Sequence, residues 1–291
     1  MAAFLQIIAS GLTSGAIYAL IGLGFSMIYN ASEVINFAQG EFVMIGGMTA
    51  FTLNSMLHLP LAVAVLASIA ITAGVAIVVE KFAIEPVVHS SRTTIIIITI
   101  GISIILRGIV EVSLGKDFRR LRAFSGENPI NLGGAEVEPQ VFWILGSLIL
   151  VMFALAWFFR RTKLGKAMLA SAQNRMAAEL MGIEVKSILR LSFVLAAAMG
   201  ALAGVLTAPI TLTKYDVGIM LGLKGFCAAV IGGLGVPSGA LAGGLLLGVA
   251  EAISAGYISS AYKDALAFVI ILAVLFFMPH GLFGRAEAKR V

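Results

Sequence analysis

Apolar runs long enough to cross a bilayer, separated by short polar breaks, fill most of this chain. A crossing helix needs about 20 predominantly apolar residues. On that criterion spans fall near 5–29, 34–56, 61–80, 93–114, 141–159, 187–208, 217–235, 238–257 and 264–279. The fold class this predicts is all-α: a polytopic transmembrane helical bundle of about 8–10 spans, nine by this placement, forming a single transmembrane domain over 1–291. The Gly-rich stretches 22–47 and 218–248 leave room for broken or re-entrant helices. Irregular backbone is tolerated inside a membrane where protein or a wet cavity covers it.

Small residues recur at helical spacing. Gly22 with Gly24, Gly200 with Gly204, Gly239 with Gly243 and Gly244 with Gly248 give faces on which helices approach closely. In lipid, association depends on van der Waals fit more than on apolar burial.

Polar residues interrupt this pattern at a few places. The stretch Asn30 to Glu41, NASEVINFAQGE, places Asn30, Ser32, Glu33, Asn36, Gln39 and Glu41 between two apolar runs. One reading is a short cytoplasmic turn followed by a new helix. The other is a break that exposes helix ends, whose free N–H and C=O groups bind the carboxylate and ammonium of an amino acid. Tyr18, Thr99, Ser103, Arg107, Glu111, Lys224 and Glu251 also lie inside apolar runs. Arg107 and Glu111, four apart, suit a local ion pair and a structural role, whereas Lys224 and Glu251 could meet across helices. Unpaired polar groups at membrane depth are expensive and tend to face protein or water. The candidates for a translocation pathway are therefore Tyr18, Asn36, Gln39, Glu41, Thr99, Lys224 and Glu251.

Composition sharpens the class. Of the 291 residues 60% are hydrophobic and 12% charged, against about 25% charged in a soluble domain. The net charge of +5 does not point to nucleic acid, because the cations cluster beside apolar spans, where they set orientation. Arg160, Arg161, Lys163, Lys166, Arg175, Lys186 and Arg190 against Glu179 and Glu184 put 160–190 in the cytoplasm, together with Arg285, Lys289 and Arg290 of the tail. The loop 81–92 then lies inside, 115–140 and 209–216 lie outside, and the N-terminus is outside. The outer loop 115–140 is charge-balanced, with Lys116, Arg119, Arg120 and Arg122 offset by Asp117, Glu127, Glu136 and Glu138. The first apolar run has no basic region before it and is expected to be a retained span, not a signal peptide.

Catalytic and metal chemistry find no residues. Cys227 is the one cysteine, so neither an internal disulfide nor a thiolate metal site can form. His58, His89 and His280 fall near span ends, and neither a phosphate-binding G-x-x-x-x-G-K-[ST] loop nor H-E-x-x-H occurs. No catalytic residue, metal site or cofactor is expected in this chain, and any ATP and Mg would be bound by another.

The segment 160–190, RRTKLGKAMLASAQNRMAAELMGIEVKSILR, is polar and long enough for a short helix lying along the membrane face. Ala167, Leu169, Ala170, Ala177, Ala178 and Met181 supply compact packing groups. Gly165 is expected to start the unit and Gly182 to end it, since glycine tolerates the left-handed geometry that closes a helix. Such a helix suits docking into a groove on a cytoplasmic partner; a basic connector is the plainer reading.

The stretch from Gly165 to Ile183, G-K-A-M-x-A-x-A-Q-N-x-x-A-A-x-x-M-G-I, resembles the cytoplasmic loop of the LivH-type permeases of branched-chain amino acid ABC importers. Two further stretches match in order and spacing: 11–48, GLTSGAIYALIGLGFSMIYNASEVINFAQGEFVMIGGM, and 224–252, KGFCAAVIGGLGVPSGALAGGLLLGVAEA. Many relatives carry arginine where this chain has Leu169. The resemblance implies an inner-membrane permease that works with a second homologous permease, two cytoplasmic ATPase subunits and a periplasmic substrate-binding protein. It also implies that 165–183 couples ATPase closure to the spans, through Gly165, Lys166, Asn174, Ala177, Ala178, Glu179, Gly182 and Ile183. Urea, short amides or other amino acids are alternative substrates within that family. An ion-coupled secondary transporter would favour charged midplane sites, and here the acids are few.

Overall fold

The computed structural model describes residues 2–88, 90–126, 128–132 and 135–284. His89, Glu127 and the basic tail residues Arg285, Lys289 and Arg290 lie outside the described residues.

Eleven helices follow in order: α1 (Ala2–Ser32), α2 (Gln39–Phe51), α3 (Leu61–Val79), α4 (Arg92–Leu114), α5 (Gln140–Arg161), α6 (Lys163–Gln173), α7 (Arg175–Leu180), α8 (Val185–Thr211), α9 (Val217–Gly232), α10 (Pro237–Tyr257) and α11 (Lys263–Phe277). A hairpin of β1 (Ile130–Leu132) and β2 (Ala135–Val137) in the 115–140 loop is a feature the apolar pattern does not predict. The structure is thus a helical bundle, as expected. Among the described residues six helices are each long and apolar enough to cross a membrane by themselves: α1, α3 with its extension to Val87, α4, α5, α8 and α10. The expected span 34–56 corresponds to α2 with its π-helical continuation Thr52–Met56, and 217–235 and 264–279 correspond to α9 and α11, of 16 and 15 residues.

The late start of α2 has a visible cause. Residues 33–38 are not helical, and Glu33 turns the chain with φ of 54°. Gln39, which opens α2, packs against Gly24, eight residues before the end of α1. Its level is therefore about 12 Å back from the α1 terminus. The chain leaves α1, folds back into the bundle through bends and a turn, and starts a new helix inside it. This is the broken geometry that the Gly-rich stretch 22–47 allows.

Loop contacts sort the helix ends into two groups. Lys186 and Arg190 bind Glu85, Arg190 also binds Glu80, and Arg92 binds Glu33, which gathers the starts of α4 and α8 with the ends of α1 and α3. Leu282 and Phe283 donate backbone hydrogen bonds to Ile231 and Gly232, adding the end of α9 to that face. At the other end Arg119 and Thr213 exchange two backbone hydrogen bonds, and Gln6 reaches Glu136 O. The grouping matches the division expected from charge, with 81–92 and 160–190 on one side and the N-terminus, 115–140 and 209–216 on the other.

The core is assembled on glycine. A Cβ at Gly15 would sit 2.8 Å from Gly244 O, and one at Gly22 would sit 3.1 Å from Gly225 O, so α1 touches both α10 and α9 nearly backbone to backbone. Gly204 abuts Val43 of α2, and Gly232 and Gly239 abut each other. By contrast Gly74, Gly101, Gly108 and Gly146 face open space. Around this core α3, α4, α5 and α11 turn large apolar side chains outward, among them Leu66, Ile105, Phe153 and Leu272.

Candidate functional site

The break before α2 builds a polar site in the middle of an apolar bundle. Asn36 Oδ1 accepts from Ala38 N at 3.0 Å and so holds the turn into the helix. Phe37 N donates to Thr99 Oγ1 at 3.2 Å, and Gln39 Nε2 donates to Ala196 O at 2.9 Å, pinning the helix start between α4 and α8. Ser103 Oγ donates to Glu41 Oε1 at 2.7 Å. Asn36, Gln39 and Glu41 are all buried, yet Asn36 Nδ2, Gln39 Oε1 and Glu41 Oε2 have no hydrogen-bond partner among the described residues. Three half-satisfied side chains within six residues are a concentration of cost, since buried polar atoms are nearly always paired.

Beside this helix start lies a cleft of roughly 180 Å³ between α2, α4 and α9. Glu41, Ser103 and Arg107 form its polar wall, and Phe25, Phe37 and Phe226 stand opposite with ring centroids 5.7 and 5.9 Å from Phe226. Gly218 and Gly222 complete it. Gly40 and Gly218 touch backbone to backbone, so the cleft depends on the absence of a side chain at both.

Arg107 corrects an expectation. It makes no ion pair with Glu111, which binds Lys116 at 2.8 Å instead. Gly115, with φ of 84°, ends α4 and turns Lys116 back onto Glu111. Arg107 is left lining the cleft with no hydrogen-bond or ion-pair partner among the described residues. Thr99, Ser103 and Arg107 are spaced four apart, one stripe of a helix. That polar stripe was the available signal for Ser103 and Arg107, and pairing Arg107 locally concealed it.

The remaining pathway candidates sit elsewhere. Tyr18, Lys224 and Glu251 form one buried cluster: Lys224 Nζ lies 2.7 Å from Glu251 Oε1 and 3.2 Å from Tyr18 OH, and Tyr18 OH donates to Glu251 Oε2 at 2.9 Å. Asp264 Oδ1, which the sequence did not single out, is 2.6 Å from Lys224 Nζ. The cluster ties α1, α9, α10 and α11 together and does not line the cleft.

The segment 160–190 is ordered as two helices, not one. Thr162, not Gly165, caps α6, accepting from Gly165 N at 2.9 Å. Gly165 is buried with its Cα face against Phe158 O, a close approach that a side chain would block. Asn174 divides the segment, its side chain accepting from Ala177 N at 3.0 Å to open α7. Gly182, with φ of 82°, ends it as expected, and Ile183 N returns to Ala178 O at 3.0 Å. Ala178 is buried and Ile183 half-buried, while Lys166, Asn174, Ala177, Glu179 and Gly182 are exposed. Met181, expected as a packing group, is 83% exposed, as is Leu180, and Met176 is 73% exposed. Together they make an apolar patch on α7. Arg175 and Glu179 flank it as an i,i+4 pair at 3.5 Å.

Several helices long and apolar enough to cross a membrane, packed around a polar cleft at an interior helix start, mark a multi-pass membrane protein. Residues 7–275 match the family described as branched-chain amino acid transport system / permease component, and the chain belongs to that family. It is 38% identical to the high-affinity branched-chain amino acid transport system permease protein LivH of Salmonella typhimurium, over 99% of this chain and 98% of that protein. It is 37% identical to the corresponding permease protein BraD of Pseudomonas aeruginosa with the same coverage. A probable LivH of Methanocaldococcus jannaschii is 28% identical over 91% of this chain and 88% of that protein.

Proposed function

We propose that the chain is the membrane-spanning permease of an ATP-driven importer that carries branched-chain, aliphatic amino acids across a bacterial inner membrane. In this reading it pairs with a second homologous permease, receives substrate from a periplasmic binding protein and is driven by two cytoplasmic ATPase subunits that bind the ATP and Mg. The chain itself performs no chemistry on its cargo.

The observation that carries the reading is the continuity from the exposed α7 patch to the cleft. A motor outside the membrane can move a pore only through a stiff contact. Capped α7 presents Met176, Leu180 and Met181 outward and leads through the Gly182 turn into α8. The base of α8 is fastened to the end of α3 by Arg190, at 3.0 Å from Glu80 and 3.2 Å from Glu85. Further along, Ala196, Gly200 and Gly204 of α8 touch Gln39, Phe42 and Val43 at the start of α2. A push on α7 is thereby delivered to the wall of the cleft. Tight glycine contacts transmit displacement because packed interiors are not compressible.

Reconstitution tests this. Proteoliposomes holding the assembled complex should take up leucine, isoleucine and valine only with ATP, both ATPase subunits and the binding protein. Uptake driven by an ion gradient through this chain alone would refute the proposal. Stronger uptake of urea or short amides than of leucine would move the substrate assignment and leave the mechanism standing.

A further inference from the structure

We infer that the cleft between α2, α4 and α9 is a transient binding site for a zwitterionic α-amino acid, with Arg107 holding the carboxylate and Glu41 the ammonium. The inference rests on the importer reading above and names the site at which that cargo is held in passage.

Three observations lead to it. Glu41 is 1% exposed, and only one of its oxygens is engaged, by Ser103, while Oε2 is unpartnered. Arg107 borders the same cleft and likewise has no partner among the described residues. Both line this one cleft, yet they form no ion pair with each other among the described residues. Opposite charges left apart at membrane depth are costly. A ligand that brings one charge of each sign satisfies both, whereas a neutral amide satisfies neither and a simple anion only one.

Geometry and lining fit the same ligand. Ser103, which holds Glu41, precedes Arg107 by four residues on α4, so Arg107 leaves the helix about one turn, roughly 6 Å, beyond the residue that anchors Glu41. Facing these groups are Phe25, Phe37 and Phe226 with Ile219 and Leu223, an apolar wall for an aliphatic side chain. Release is built in as well. Glu41 remains tied to Ser103 and Gln39 to Ala196 of α8, so displacement of α8 alters the site directly.

The test uses the assembled complex with an Ile219→Cys permease; the native Cys227 is buried and provides the unlabelled background. N-ethylmaleimide labelling of that cysteine is timed with leucine, with 3-methylbutylamine, which lacks the carboxylate, and with 4-methylpentanoate, which lacks the ammonium. Leucine should slow labelling, and each single-charge analogue should need roughly tenfold or more higher concentration, the loss expected for one charged hydrogen bond. Arg107→Gln and Glu41→Gln should each remove leucine protection to the same extent, with assembly on the ATPase subunits as the check on folding. Equal protection by the analogues, or none by leucine in a complex that imports leucine, would overturn the site. If a substituted chain does not assemble, the analogue comparison on the Ile219→Cys chain alone decides. If the unsubstituted complex imports no leucine with ATP, the importer reading fails instead, and the labelling result is read apart from it.

Discussion

Replacing Gly204 by alanine puts a methyl group where α8 and α2 meet with no side chain between them. The added Cβ would collide with Val43 O and lie 3.0 Å from Gly47 N, all backbone atoms of a helix that cannot swing aside as a flexible side chain can. Overpacking of this kind costs about 1–3 kcal/mol, and the rigid neighbour places Gly204 toward the upper end. Alanine recovers about 1 kcal/mol of helix propensity, which leaves a net loss of about 1–2 kcal/mol. Gly108→Ala is the internal control. Nothing lies within 4 Å of its Cβ position on α4, so only the propensity gain of about 1 kcal/mol remains. Membrane proteins of this size commonly unfold irreversibly, so the readout is the half-life of the detergent-solubilised complex on heating, compared between the two variants. Gly204→Ala should shorten it and Gly108→Ala should not. Because Gly204 is also where α8 bears on the cleft wall, uptake should fall in Gly204→Ala even at temperatures where the complex is intact. Equal half-lives and equal uptake would show that the α8–α2 contact is neither tight nor on the coupling path.

Other substitutions probe the lever and the ion clusters. Asn174→Ala removes the cap of α7 and should cost about 1 kcal/mol of local helix stability, seen as faster amide exchange over 175–181 and weaker coupling of ATP hydrolysis to uptake. Gly182→Ala forces a Cβ into φ of 82° at a cost of about 1–2 kcal/mol and should act similarly. Lys224→Met leaves Glu251 and Asp264 without their cation, and one-sided removal of a buried pair costs about 3–5 kcal/mol. Adding Glu251→Gln should restore part of the lost thermal half-life, and a double substitution as harmful as the single one would argue against the cluster. Arg190→Gln should loosen the joint between α8 and the end of α3, where Glu80 is fully buried, and lower uptake more than ATP hydrolysis.

The sequence was most legible where hydrophobicity alone decides. Long apolar runs mark α1, α3, α4, α5, α8 and α10, because nothing but a helix crosses lipid with its backbone satisfied. It was least legible where backbone enters the bundle without helix. Residues 33–38 look like a surface turn, since nothing local states that Gln39 will be drawn up against Gly24 and Ala196. Asn36, Gln39, Glu41 and Thr99 were recognisable as misplaced polar groups, and the fold brings all four to one place. Arg107 was misread because an i,i+4 acid is a plausible local partner until the turn at Gly115 supplies Glu111 with Lys116. The split of the segment 160–190 at Asn174 was hidden for a related reason: asparagine reads equally well as a helix surface residue or as a cap, and only the following turn decides. The exposed Met176, Leu180 and Met181 resemble core residues by type, and their outward placement follows from which face of α7 Ala178 buries.

The central claim, that α7 is gripped by a separate ATPase, is tested most directly by labelling a Leu180→Cys chain with a membrane-impermeant maleimide. In inverted vesicles the reagent should reach position 180 in the free permease and be blocked once the ATPase subunits assemble, with no labelling in right-side-out vesicles. Labelling from the outer face, or labelling in the assembled complex as fast as in the free chain, would contradict the account.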